Sequence, residues 1–311
     1  MSSIKILLTF LVLFFGISLY SSTIEYYSSE KYSLSESVIQ LLDTAESTVL
    51  FVSYSLDETK VIDKLNELVK RGIYVEGIVD NSSIFRSLSH DLLFKLECDN
   101  SQALIHAKFM IIDGHYAVVS TGNLTHGGLS EDSNILLCFK SEEVALGLMN
   151  FYQAIKKGER APDFQVENAY FYLTPHENID EIILKKLQSA KREIFFLIYA
   201  FTDPRFLTVF KYMASKGIDV KGVVDDWNIS SSYLYKYFSP GLGLRFNKEK
   251  WLLHDKTLII DRRFIITGSA NFTKSAWSKN RELVVIIESE DLAKAFISHF
   301  NYLWEVSGYG D

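Results

Sequence analysis

The chain repeats itself. Ala45-Glu-Ser-Thr-Val-Leu-Phe-Val-Ser-Tyr54 lies over Ala190-Lys-Arg-Glu-Ile-Phe-Phe-Leu-Ile-Tyr199, 145 positions later, and the match runs without a gap through Arg71–Asp80 over Lys216–Asp225. Further on the offset becomes 148, with His106-Ala-Lys-Phe-Met-Ile-Ile-Asp113 over His254-Asp-Lys-Thr-Leu-Ile-Ile-Asp261 and Asn123-Leu-Thr125 over Asn271-Phe-Thr273. A unit of about 145 residues is far too long for a solenoid and suits a duplicated domain. Each copy opens on a helical pattern (Val38, Leu41, Leu42, Ala45; Ile183, Leu184, Leu187, Ala190). A strand follows (Thr48–Ser53; Glu193–Ile198), then a helix closed by Gly72 or Gly217 and a short strand (Tyr74–Val79; Asp219–Val224). After these come a strand carrying His and Lys, an apolar strand (Tyr116–Ser120; Phe264–Thr267), a loop, a third strand (Ile135–Phe139; Leu283–Ile287) and a closing helix. Strands alternating with helices predict an α/β fold in which helices cover mixed sheets. The expected division is 1–22 as a leader or anchor, 23–165 as the first half and 166–311 as the second.

Length and composition narrow the class. A chain of 311 residues has room for two domains, and 48% apolar with 23% charged residues excludes a disordered chain. With one long apolar stretch it is not a polytopic membrane protein. A net charge of −7 argues against coating nucleic acid by bulk electrostatics but leaves room for a local basic cleft. Two cysteines, Cys98 and Cys138, make neither a disulfide framework nor a four-ligand zinc site. They read as thiols in separate elements, with one bridge open to an exported protein.

The long apolar stretch, Ile4–Tyr20, has Lys5 as its one charge and an apolar run of about 15 residues. That is shorter than the ~20 residues a bilayer span needs and matches the core of a secretory signal. Gly16 and Ser18 offer cleavage after Ser18, and Leu19 and Tyr20 could instead extend the run into a short anchor. Being apolar all round and at the extreme terminus, it does not read as a core helix. Export or anchoring would place the rest outside the cytoplasm or at a membrane face.

Alternate residues of a strand share a face, so His106 and Lys108 point the same way, as do His254 and Lys256. Asp113 and Asp261 lie an odd number of positions further on and belong in the following turn, where a carboxylate accepts backbone N–H bonds. One such string is a weak signal. Two at equivalent places of a repeat, each followed by Asn-x-Thr, are not coincidence, and a His and a Lys on one face pack poorly.

Two H-x-K-x4-D strings with a downstream G-S-x-N resemble the phospholipase D superfamily, over nearly everything from Glu36 to Trp304. The second copy is complete: His254, Lys256, Asp261, Gly268-Ser-Ala-Asn271 and Glu282. The first departs, with Ser120-Thr-Gly-Asn123 for G-S-x-N and Asn134 for Glu282, although Thr121 keeps the hydroxyl of Ser269. The resemblance implies two similar α/β halves about a pseudo-twofold axis with both H-x-K segments meeting at the interface, so one chain completes the site as a monomer. Lys108, Lys256, Asn123 and Asn271 are donors for a phosphodiester, with Thr121 and Ser269 beside them. The two imidazoles supply a nucleophile and a proton donor. In the family one histidine forms a phosphohistidine and the other protonates the leaving alcohol, then activates water. No cofactor or metal is implied, and no Asp/Glu cluster stands beside either His at metal-site spacing. The family also cross-pairs the late residue of one half with the histidine of the other. By that analogy Glu282 orients His106, the nucleophile, and Asn134 supports His254, the general acid and base.

Other residues read two ways. His126 and Lys274, at matching places after the Asn-x-Thr segments, touch substrate or stand as exposed loop residues. Tyr54 and Tyr199 line the cleft or pack in the core. Trp227, Trp251 and Trp277 form an apolar rim for acyl chains, a stacking face for bases, or ordinary core. His90, His115, His176 and His299 have no repeat partner and read as surface or structural; Asp225-Asp226 reads as a solvated loop or cap. The implied substrate is a phospholipid headgroup phosphodiester, since an exported or anchored chain meets a membrane surface. The alternative is DNA or RNA, for which Lys248, Lys250, Arg262, Arg263, Lys274, Lys279 and Arg281 would grip the backbone. A non-enzymatic phosphate-binding scaffold and a transphosphatidylase are the weaker readings.

Overall fold

A computed structural model of the chain describes residues 23–98, 103–238 and 242–308. The apolar N-terminal run and its expected cleavage site lie outside the described residues.

The first sheet has seven strands in the order β1-β7-β6-β5-β2-β3-β4. They are β1 (Thr23–Ser28), β2 (Thr48–Ser53), β3 (Tyr74–Val79), β4 (Lys95–Cys98), β5 (Phe109–Ile112), β6 (Tyr116–Ser120) and β7 (Ile135–Lys140). The second sheet has eight, in the order β12-β11-β10-β13-β14-β15-β9-β8. Its strands are β8 (Phe164–Val166), β9 (Ala169–Leu173), β10 (Glu193–Ile198), β11 (Asp219–Asp225), β12 (Gly243–Asn247), β13 (Lys256–Ile260), β14 (Phe264–Gly268) and β15 (Leu283–Glu288). From β9 to β12 it reproduces the first sheet strand for strand, parallel on one side of β10 and antiparallel on the other. β8 pairs with β9 and adds an edge strand to the second sheet that the first lacks.

Period-two alternation splits each strand between two cores. Val49 and Phe51 of β2 face α1 (Leu34–Asp43) and α2 (Thr59–Lys70), whereas Leu50 and Val52 face inward. The inward residues of both sheets join one continuous core with α4 (Glu142–Lys157) and α9 (Glu290–Val306). The second sheet's outer face is covered by α5 (Ile179–Gln188) and α6 (Pro204–Ser215). Three short helices, α3 (Ile84–Ser87), α7 (Trp227–Ser231) and α8 (Lys274–Ser278), sit in the connections. Ser141 and Ser289 cap the two central helices with hydroxyls that accept from Val144 N and Leu292 N, and acidic residues fill both first turns.

Two repeat features fix the sheets. Gly77 and Gly222 let the rings of Phe51 and Phe196 lie across the neighbouring strand; a Cβ on either would sit 2.1 Å from ring carbon. Asp113 and Asp261 turn the chain after β5 and β13 with φ of 53° each. Asp113 accepts from the backbone N–H groups of Glu46, Ser47 and Thr48, and Asp261 from those of Lys191, Arg192 and Glu193, which ties the start of β2 or β10 to that turn. Cys138 is buried on β7 and Cys98 is half-buried at the end of β4; both are free thiols, and four strands separate β7 from β4.

Candidate active site

The site lies where the halves clip into each other. Arg281 N donates to Leu104 O and His106 N donates back to Arg281 O, both at 2.8 Å. At the other clip Ser133 N donates to Leu252 O (2.8 Å) and His254 N to Ser133 O (3.0 Å). Each histidine is therefore held by backbone of the opposite half. For the same reason neither belongs to the strand that the sequence pattern suggests: β5 starts at Phe109 and β13 at Lys256.

Behind each ring stands a residue of the other half. Glu282 Oε2 lies 2.7 Å from His106 Nδ1, and Asn134 Oδ1 lies 3.1 Å from His254 Nδ1. Asn134 Nδ2 donates to Gly128 O (3.0 Å), so Oδ1 is the atom turned to His254, whose Nδ1 must carry hydrogen. Glu282 is buried and saturated, accepting also from Ser269 Oγ (2.6 Å) and Asn280 Nδ2 (3.1 Å). Thr121 Oγ1 donates to Asn134 Oδ1 at 2.9 Å. The sequence places the Thr121 and Ser269 hydroxyls on the substrate phosphate; both are fully buried with their protons given to Asn134 and Glu282. Their work in this structure is to hold the groups that hold the histidines.

Lys108 and Lys256 are buried, and each donates to the carbonyl of its own histidine, with Lys256 Nζ also 3.4 Å from Thr121 O. Asn271 anchors Oδ1 on Ala200 N (3.1 Å), leaving its amide N–H groups as donors, while Asn123 Oδ1 is buried without a hydrogen-bond partner. Burial and crowding set the charges. Burial pushes both lysines down, Lys108 well below its usual range and Lys256 to about 7. His106 is lowered by burial and by Lys108, against the pull of Glu282. His254 is driven well below its usual value by burial, then by Lys256, Lys108 and His106. The two imidazoles and the two lysines thus sense one another's charge across the seam between the halves. Burial would raise Glu282, but His106, Lys108 and Ser269 lower it, so a carboxylate stands among the cations.

The remaining candidates divide. Tyr54 and Tyr199 lie against the histidine rings, with centroids 5.7 Å from His106 and 5.2 Å from His254. Trp227 extends this row, 5.7 Å from Tyr199, whereas Trp277 is core, stacked on Phe206. Trp251 packs at the edge of the central core. His126 is exposed and bonded to Glu58, and Lys274 is exposed at the start of α8. Asp225 is no solvated loop residue: it is buried and accepts from Trp227 N and Leu253 N. His299, read as surface or structural, is fully buried between two carboxylates. Among the described residues, no three His, Cys, Asp or Glu side chains converge as metal ligands, and no helix is long and apolar enough to cross a membrane.

Comparisons with known proteins agree with this architecture. Residues 38–155 and 183–304 match the family described as cardiolipin synthase, PLD-like domain. A phospholipase D of Rickettsia typhi is 27% identical over 141 residues, 45% of this chain and 69% of that protein. The human mitochondrial cardiolipin hydrolase is 29% identical over 134 residues, 42% of this chain. The chain spans 53% of that human relative. The crystal structure of phosphatidylserine synthase from Haemophilus influenzae superposes with a TM-score of 0.71, covering 90% of this chain and 85% of the other at 13% identity, which shows a common fold. With both of its repeats matched by the family over residues 38–155 and 183–304, and with each histidine backed by a residue of the opposite half, the chain belongs to the phospholipase D-like family.

Proposed function

We propose that the protein hydrolyses phospholipid headgroup phosphodiesters through a phosphohistidine on His106. The observation that carries this reading is the asymmetric backing of the two imidazoles, a carboxylate behind His106 and an amide behind His254. Glu282 accepts a hydrogen bond from Nδ1–H of His106, raising the basicity of Nε2 and offsetting the imidazolium that attack creates. Nε2 attacks phosphorus, the P–O bond to the leaving alcohol breaks, and His254, arriving as imidazolium, gives its Nε2 proton to that oxygen. Water then loses a proton to His254 and attacks phosphorus, and the P–N bond breaks. The net reaction is diester plus water to phosphomonoester plus alcohol. Lys108, Lys256 and the side-chain amides of Asn123 and Asn271 stabilise the equatorial oxygens. A free His254 is held neutral by burial and then by the lysines; an anionic diester beside them offsets the lysine charge and favours loading of the ring's proton.

Nucleic acid is the second reading, and the basic run of the second half favours it less once folded. Arg262 and Arg263 sit in the turn at the far end of β13 from His254 and pair with Glu193 and Glu288. Arg281 donates to Glu159 O. Exposed Lys248, Lys250, Lys274 and Lys279 stay at the end of the sheet nearest His254 and suit an anionic surface. Export or membrane anchoring through the N-terminal run, action as a monomer, and the absence of any metal requirement complete the proposal. The test is a paired assay in chelator with a chromogenic phosphodiester, vesicles of phosphatidylcholine or cardiolipin, and single-stranded DNA and RNA. Headgroup release unaffected by chelator is expected; nucleic-acid cleavage without headgroup release overturns the lipid reading.

A further inference from the structure

A buried charged cluster stands behind His254, and the chemistry above makes no use of it. His299, on α9, has Nδ1 2.7 Å from Glu30 Oε2 and Nε2 3.2 Å from Asp255 Oδ2. Asp255 lies between His254 and Lys256 in sequence. Successive side chains of an extended segment point to opposite faces, so its carboxylate enters the seam while its neighbours face the cleft. The same Oδ2 accepts from Ser133 Oγ at 2.7 Å, and Ser133 O is the acceptor for His254 N. Asp255 O accepts from Tyr199 N (3.1 Å), whose ring lies against His254. Asp255 Oδ1 is buried and receives no hydrogen bond. Tyr26 on β1 is the other titratable group here; its hydroxyl feels both Glu30 and Asp255.

The repeat supplies the control. Ala107 stands where the second half has Asp255. Counted from the caps Ser141 and Ser289, Phe151 of α4 stands where α9 has His299. Through the pairings Ser28 to Ile135 and Leu173 to Leu283, Pro175 stands where β1 is followed by Glu30. Ala107 and Phe151 are fully buried. The pseudo-symmetric place is thus filled by apolar side chains. An imidazolium and a carboxylate buried completely, with a second carboxylate half-buried beside them, are costly, and an apolar set is commonly as stable or more so. Packing alone does not call for the charged version beside the second histidine.

We propose that Asp255, His299 and Glu30 are positioning residues that seat His254 from behind and, through their net negative charge, keep the Lys256 ammonium charged for phosphate binding. His299 fixes the Asp255 carboxylate, which clamps the Ser133 clip and the Tyr199 backbone. Burial opposes the charge on Lys256, and Asp255, Glu282, Asp132 and Asp225 favour it; Lys108 is the like charge that Lys256 faces. Asp255 is the strongest of the favourable four. On the first side Lys108 has no such carboxylate next to it in sequence, and Glu282 and Asp80 are the charges that support it.

The test uses the full chain, with Asp255→Asn, which keeps the shape, and the triple change Glu30→Gln, Asp255→Ala, His299→Phe, which copies the apolar side at the last two positions and removes the charge at the first. Its kinetic arm rests on the phosphodiesterase reading; a second arm does not. That arm follows the Lys256 side chain by 13C NMR in substrate-free protein. The expected result is a Lys256 midpoint lowered by about one pH unit from its parent value, with the alkaline limb of kcat/KM on bis(p-nitrophenyl) phosphate moving down equally. The triple variant is expected to melt within a few degrees of the parent. A folded variant with the parent's Lys256 midpoint and alkaline limb overturns the proposal. If the triple variant does not fold, Asp255→Asn decides; if neither folds, the cluster is structural and the proposal falls. A parent that turns over no phosphodiester defeats the phosphodiesterase reading and leaves the NMR arm to judge this one.

Discussion

At the scale of single residues, the departure of the first repeat from the second is what the proposed roles rest on. Duplication makes His106 and His254 look interchangeable, and Asn134 opposite Glu282 breaks the tie because a neutral amide cannot offset an imidazolium as a carboxylate does. Replacing His106 with Asn is expected to lower turnover by on the order of 10^4-fold or more and to leave no phosphoenzyme in acid-quenched intact mass spectra. His254→Asn should still form the adduct from an aryl phosphodiester, whose leaving group needs no proton, and then accumulate it for want of a base. Adduct on the His106 variant alone reverses the assignment. Glu282→Gln keeps the shape of the backing and loses its charge, so kcat should fall about 10^2-fold with KM little changed, measured on the same substrate. The residues proposed to bear the chemistry stand out in the sequence because they recur at fixed spacing. The roles of Thr121 and Ser269 do not, since a hydroxyl two residues before an Asn can face a phosphate or can turn to the Asn134 or Glu282 side chain later in its own repeat, and spacing does not choose between them. His299 was invisible for a related reason: its partners, Glu30 and Asp255, lie 269 and 44 positions away and have no counterpart in the other half.

At the scale of elements, the strands that the repeat shows twice were found almost to the residue. The missed ones are edge or near-edge strands: β1 and β4 in the first sheet, β8, β9 and β12 in the second. β4 (KLEC) and β8 (FQV) are too short to carry a period, and β1 (TIEYYS) alternates weakly; such strands take their structure from the neighbour they pair with. The H-x-K segments fail as strands for the opposite reason. Their pattern is extended, yet their partners at that point are Arg281 and Ser133 of the other half. Conversely, Gly77 and Gly222 look like ordinary loosening of a strand and are instead seats for Phe51 and Phe196. Gly77→Ala or Gly222→Ala would drive a methyl into a buried ring and is expected to cost about 1–3 kcal/mol in urea unfolding, with the m-value unchanged. Alanine at either site without loss of stability would mean that the rings lie elsewhere.

At the scale of the whole molecule, the seam between the halves is both the site and a stability element, because α4, α9 and the inward faces of both sheets make one core. The imidazole of His299 lies in that seam and joins the chain's first described connection to its last long helix. Burial alone would push its pKa down; Asp255 and Glu30 more than reverse this, to about 9. In the unfolded chain an imidazole titrates near 6.5. A base whose pKa is raised on folding contributes stability that is fully present below the unfolded value and is lost as pH climbs through the folded one. The window therefore runs from about pH 6.5 to about pH 9, and the linkage amounts to about 3 kcal/mol. Lys256 and Lys108, whose pKa values fall on folding, bind fewer protons folded than unfolded and push stability the other way across the alkaline range. The total curve thus mixes the two, and the readable quantity is the difference between the parent and His299→Gln. Urea unfolding is expected to give the parent an advantage that shrinks by about 3 kcal/mol from about pH 6.5 to about pH 9.5. An advantage constant across that range would show that His299 is neutral in the folded protein, and that the two carboxylates meeting it do not hold its proton.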